Sequence, residues 1–101
     1  MAHITDWFHD AKWGVFVHFL AQDDWSADEW NRRVDGYDVV GLAKQLADVG
    51  AGYLYLTTGQ NSGHYCAPNE TYDRIVGIKP SKLSRRDLIS DMADALKPHG
   101  I

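Results

Sequence analysis

Apolar positions along the chain follow two periods, one of strands and one of helices. Trp13 to Leu20, WGVFVHFL, is a nearly continuous apolar run rich in β-branched and aromatic residues. Its length and density predict a strand buried on both faces, as in a parallel sheet. Tyr53 to Thr57, YLYLT, predicts a second strand. Between them Val39, Leu42, Ala43, Leu46 and Ala47 recur at helical spacing, with Asp38 as the N-cap and Gly50 as the left-handed stop. A second helical stripe is formed by Leu88, Met92, Ala95 and Leu96, flanked by Ile89 and Ala93. Ser84 with Asp87 marks its start. Lys97 and His99 suit the negative end of its dipole, and Gly100 ends it.

The connecting segments are polar. Met1 to Lys12 reads as an amphipathic lead-in carrying Trp7 and Phe8. Ala21 to Gly36 is acidic, with a short helix expected from Ser26 to Arg33, because Ser26 and Glu29 stand at capping-box spacing. Thr71 to Lys82 shows no period, contains Pro80, and reads as loop. The order is therefore strand, loop, helix, strand, loop, helix, with Ile101 opening a third strand. Strands alternating with helices imply an α/β fold with a parallel sheet and right-handed crossovers. Two strands alone cannot bury both faces, so residues 1–101 read as the N-terminal fragment of a larger α/β domain. An eight-stranded barrel needs about 250 residues, of which this chain would supply roughly two fifths.

Charge and cysteine content narrow the function classes. A net charge of −4 argues against a nucleic-acid surface, which needs a clustered basic face. The one basic run, Lys79, Lys82, Arg85 and Arg86, is interrupted by Pro80 and reads as a solvated loop. A single cysteine, Cys66, excludes an internal disulfide. No apolar run is long enough to span a bilayer, and no signal pattern precedes the first strand, so a cytoplasmic location is expected. His64 and Cys66 lack the further ligands of a zinc site, and no metal or cofactor is expected.

Chemistry in such folds collects at the carboxyl ends of the strands. Here that end holds His18, the loop with Trp25, Glu29 and Trp30, and the polar stretch Gly59 to Cys66 with Gln60, Asn61, Ser62 and His64. Aromatic faces beside carboxylates, amides and imidazoles are what a sugar site requires: rings stack on the apolar face of the sugar while polar groups bind its hydroxyls. Each residue also has a structural alternative. His18 could be a buried histidine bonded to a carbonyl, Glu29 a capping partner, Trp25 and Trp30 core packing, and Gln60, Asn61 and Ser62 turn formers.

The motif DWFHDAKWGVFVHF resembles the opening of the α-L-fucosidase family, glycoside hydrolase family 29, in which a Trp-Phe pair precedes Lys-Phe-Gly-Ile-Phe-Ile-His-Trp-Gly. Trp25 and Glu29-Trp30 resemble its later Trp and Glu-Trp, LAKQLADVGAGYLYLT its first helix and second strand, and RRDLISDMADALKPHGI its Arg-Asp-Leu helix. The resemblance implies the first βα units of a (β/α)8 TIM barrel acting on a carbohydrate. It assigns His18, Glu29 and Trp30 to the sugar pocket. The family's Leu-Thr-Ala-Lys-His-His-Asp-Gly-Phe is replaced by Leu56 to His64, so Gln60-Asn61 stands where the family has tandem histidines. It also implies a retaining mechanism with two carboxyls roughly 5 Å apart. The family's nucleophile and acid/base fall beyond Ile101, so no catalytic residue is assigned within this chain and the fragment alone is expected to be inactive. Partners implied are a carbohydrate and either the rest of the barrel or a second copy, with no nucleic acid and no membrane. The alternative is a non-catalytic sugar-binding or structural descendant of that barrel.

Overall fold

The computed structural model describes residues 3–101, so Met1 and Ala2 of the expected lead-in lie outside the described residues. The elements in order are α1 (Asp6–Ala11), β1 (Val15–Val17), α2 (Ala27–Asp35), α3 (Val39–Asp48), β2 (Leu54–Leu56), α4 (Glu70–Val76) and α5 (Leu88–Leu96), with a 3-10 turn at Lys97–His99. β1 and β2 pair in parallel, with Val15 opposite Leu54, Phe16 opposite Tyr55 and Val17 opposite Leu56. A parallel pair needs a long crossover, and α2 and α3 supply it.

Local chemistry places each helix. The Ser26 hydroxyl accepts from the Glu29 amide at 3.1 Å, which starts α2 where the spacing predicts. The Glu29 carboxylate does not complete a capping box, because Arg32 and Arg33 hold it at 2.8 and 3.0 Å. Asp38 caps α3 through the Gly41 amide at 2.9 Å. Gly50 follows that helix at φ 77°, a conformation that costs glycine no Cβ clash. α5 begins later than Ser84 predicts: Asp87 is its cap, accepting from the Ser90 amide at 3.0 Å. Ser84 is instead buried, its hydroxyl donating to the Arg86 carbonyl at 2.7 Å.

Two expectations from the pattern are corrected. The segment Thr71 to Lys82 is not wholly loop, since Asn69 caps α4 by accepting from the Tyr72 amide at 2.9 Å. That helix buries no residue, which is why it left no apolar period. The first strand is also not buried on both faces. Val15 and Val17 turn inward, whereas Phe16 is 58% exposed and its partner Tyr55 is 50% exposed. Alternation along a strand sends neighbours to opposite faces, so α2, α3 and α5 cover one face and the other is met by Phe8 of α1. The core lies on that covered side, where Val34, Ala43, Leu46, Leu88, Met92 and Leu96 pack together. Full burial of each larger apolar side chain there stabilises by roughly 1.5–3 kcal/mol.

The more open face is an aromatic row. Phe8 of α1 stacks on Tyr53 at 4.8 Å between centroids, Tyr53 meets Tyr55 at 5.5 Å, and Phe16 lies 5.8 Å from Tyr55 and 4.5 Å from His18. The result is an open layer. Its radius of gyration, 15.5 Å, exceeds the roughly 13 Å of a compact domain of this length. Among the described residues no helix is long and apolar enough to cross a membrane.

Candidate functional site

The parallel register brings the carboxyl ends of β1 and β2 to the same end of the sheet. A direct tie joins them there: Thr57 Oγ1 accepts from the Phe19 amide at 2.9 Å. His18 leaves β1 at this end on the exposed face, beside Phe16. Its exposure removes the alternative of a buried core histidine. Gln60 and Asn61 are exposed on the loop that follows β2.

That loop is held on several sides. Gly59 forms a bridge with Tyr65, and Tyr65 forms a second with Leu83. A Cβ at Gly59 would run into the Tyr65 ring and the His64 carbonyl, so only glycine lets the two backbones meet. Tyr72 donates its hydroxyl to the Gly63 carbonyl at 2.7 Å, and Lys82 donates its ammonium to the Ser62 carbonyl at 2.8 Å. Lys82 is therefore not the solvated cation that its basic run predicts. Arg86 departs from that expectation too, donating to the Val34 and Tyr37 carbonyls at 2.8 and 3.0 Å.

Three of the proposed sugar contacts sit differently from the expectation. Trp30 is fully buried, stacks on Phe19 at 5.2 Å, and donates its indole N–H to the Tyr65 carbonyl at 2.9 Å. His64 is also buried, with Nδ1 3.1 Å from the Lys82 carbonyl; a carbonyl only accepts, so this nitrogen carries the proton. Both rings brace the loop from within and do not line an open wall. Glu29 is reachable from solvent, but its carboxylate is engaged by two guanidinium groups. Hydrogen bonds from Arg32 and then Arg33 lower its pKa below the ordinary glutamate range. A carboxylate held ionised in this way is a poor proton donor. Trp25 is half-buried beneath the Arg33 guanidinium, 4.8 Å from the ring centroid. Among the described residues no hydrogen bond or ion pair joins His18, Glu29, Gln60 and Asn61 to one another.

The concavity at this end is built from neighbours that the residue pattern did not single out. A hollow of about 350 Å3 is lined by Thr58, Tyr65, Pro68, Asn69, Tyr72 and Leu83, together with Ala67. Tyr65 and Tyr72 meet edge to face at 5.3 Å and form its aromatic corner. Asn69 spends its carbonyl oxygen on the α4 cap, which leaves its amide N–H groups for a ligand. The cue was available in the sequence: Tyr65 and Asn69 flank Pro68 just after the strand. Cys66 lies behind this wall, fully buried, and burial raises its pKa above the ordinary thiol value. It is not a nucleophile at neutral pH. Among the described residues no group of three or more His, Cys, Asp or Glu is placed to hold a metal ion.

Comparison of the chain with protein-family models, with curated proteins and with solved structures finds no match.

Proposed function

We propose that the chain forms the opening βα units of a (β/α)8 glycoside hydrolase related to α-L-fucosidases, and that its strand-end loops bind a sugar. One observation carries the reading. Two adjacent parallel strands deliver His18 and the Gln60-Asn61 loop to the same end of the sheet, and a hollow with a tyrosine corner begins at Thr58, just past β2. The hollow suits the apolar face of a pyranose, while Thr58 and Asn69 offer a hydroxyl and an amide at its rim. His18, Gln60 and Asn61 are further hydrogen-bonding groups exposed at the same end of the sheet.

Within this chain the role is binding and not bond cleavage. Glu29 is fixed as an ion-paired anion by Arg32 and Arg33, so it is poorly suited to the proton-donating role that a retaining pair requires. The chain should therefore bind a monosaccharide weakly and saturably without hydrolysing aryl glycosides. Titration of isotopically labelled protein with a panel of methyl glycosides tests this. At least one sugar should shift the Tyr65, Asn69 and His18 resonances, and His18→Ala should weaken that binding without lowering thermal stability. Resonances unmoved by every sugar in the panel would overturn the reading.

A further inference from the structure

Gln60 and Asn61 stand outside the strand-end hollow, yet one side chain ties their turn to its wall. The Tyr72 ring lines the hollow, edge to face with Tyr65 at 5.3 Å, and its hydroxyl donates to the Gly63 carbonyl at 2.7 Å. A phenol is rigid, so the ring cannot shift without carrying its hydroxyl along. A second tie holds the same turn away from the hollow: the Lys82 ammonium donates to the Ser62 carbonyl at 2.8 Å. Gly63 sits between the two ties at φ 81°. A Cβ there would lie 3.3 Å from the Tyr72 hydroxyl and 3.6 Å from the Lys82 ammonium. Within the turn the Gly63 amide donates to the Gln60 carbonyl at a long 3.4 Å. Among the described residues neither Gln60 nor Asn61 uses its side chain in a hydrogen bond, and both are exposed. Their placement therefore depends on the two carbonyl ties.

We propose that Tyr72 is a positioning residue that couples filling of the hollow to the placement of Gln60 and Asn61. A sugar ring stacked in the aromatic corner bears on the Tyr72 ring, and the hydroxyl carries that shift to the Gly63 carbonyl. Lys82 holds the adjacent Ser62 carbonyl from outside the hollow, so the turn tilts about that point. The ligand thus sets where the two side-chain amides stand, and the turn is not a preformed rim. The coupling rests on the sugar reading for its ligand and deepens it. No charged residue lines the hollow, so that ligand is a neutral glycoside.

The test is an NMR titration of the labelled 101-residue chain with the methyl glycoside that most strongly shifts Tyr65 and Asn69. The reporters are the side-chain amide signals of Gln60 and Asn61, which do not line the hollow. In the wild type they should move with the same midpoint as Tyr65 and Asn69. Tyr72→Phe keeps the ring and removes only the tie to Gly63. At saturating sugar its Tyr65 and Asn69 signals should still shift, while the Gln60 and Asn61 shifts fall by about threefold or more. Lys82→Met removes the tie outside the hollow and should leave the Gln60 and Asn61 shifts at wild-type size. Three results would overturn the coupling and leave the sugar reading standing. These are wild-type shifts confined to Tyr65 and Asn69, full Gln60 and Asn61 shifts in Tyr72→Phe, or an equal loss in Lys82→Met. The last would mean that the turn needs only to be ordered. No shift at any residue of the wild type would overturn both.

Discussion

Arg86 offers the sharpest test of what holds this layer together. Its Nη1 donates to the Val34 carbonyl at 2.8 Å, the Tyr37 carbonyl at 3.0 Å and the Asp35 carbonyl at 3.3 Å, while Nε donates to Asp91 at 2.7 Å. Val34 and Asp35 lie in the last turn of α2, where carbonyls have no partner within the helix. The guanidinium therefore ends α2, sets the turn into α3 and ties both to the N-terminus of α5. A charged hydrogen bond contributes about 1.5–3 kcal/mol when its partners are shielded. Two of the three carbonyl bonds are part-buried and the third is exposed, so Arg86→Ala should cost about 3 kcal/mol.

For a domain of this length that loss lowers the melting temperature by roughly 12–24 °C. The ion pair itself should matter little. Asp91 is 47% exposed, and solvent screens such a pair, so Asp91→Ala should cost under about 1 kcal/mol. Urea unfolding of wild type, Arg86→Ala, Asp91→Ala and the double variant separates the two contributions. A cost below about 1 kcal/mol for Arg86→Ala would refute the carbonyl clamp. So would an Asp91→Ala cost equal to it, because the energy would then reside in the ion pair.

Two further predictions concern titrating groups. The Glu29 carboxylate should titrate below a model-peptide glutamate in a carbon-detected NMR titration, because Arg32 and Arg33 favour its charged form. Since its native pKa is depressed, its contribution is present above the unfolded value of about 4.3 and is lost as pH falls through the native value. Glu29→Gln should flatten that part of the acid limb, and an unchanged limb would count against it. The Cys66 thiol, fully buried with a raised pKa, should react with a disulfide reagent only as fast as the chain opens. Stability linked to it is complete below the unfolded thiol value of about 8.5 and declines as pH rises above that. Rapid labelling of native protein at neutral pH would contradict this placement.

How much of this was legible depended on whether the information was local. Caps and stops were readable because they are fixed within one turn: Ser26, Asp38 and Gly50 stand where spacing places them. The buried stripe of α5 was readable because Leu88, Met92 and Leu96 keep one helical face. α4 was missed because it buries no residue, and its only cue, Asn69, sits in a formal glycosylation sequon. Arg86 was invisible for another reason. Its carbonyl partners at Val34 and Tyr37 lie 52 and 49 positions earlier, and nothing local distinguishes it from the solvated Arg85 beside it. Trp30 and His64 show the same limit in the candidate site. An aromatic residue near a strand end suits a pocket or a core equally well on pattern, and only the Tyr65 and Lys82 carbonyls decide between them.

The strand-end hollow offers tyrosine rings, hydroxyls and an amide, and so favours a ring with hydroxyls on its rim. Its wall at Thr58 is fixed, because the Thr58 carbonyl accepts from the Cys66 amide at 2.9 Å. The Gly59–Tyr65 bridge holds the aromatic corner, and a Cβ at Gly59 would meet the Tyr65 ring. Gly59→Ala should therefore displace Tyr65 and abolish the sugar-induced shifts at Tyr65 and Asn69. Unchanged sugar-induced shifts in a folded Gly59→Ala variant would refute this role for the bridge.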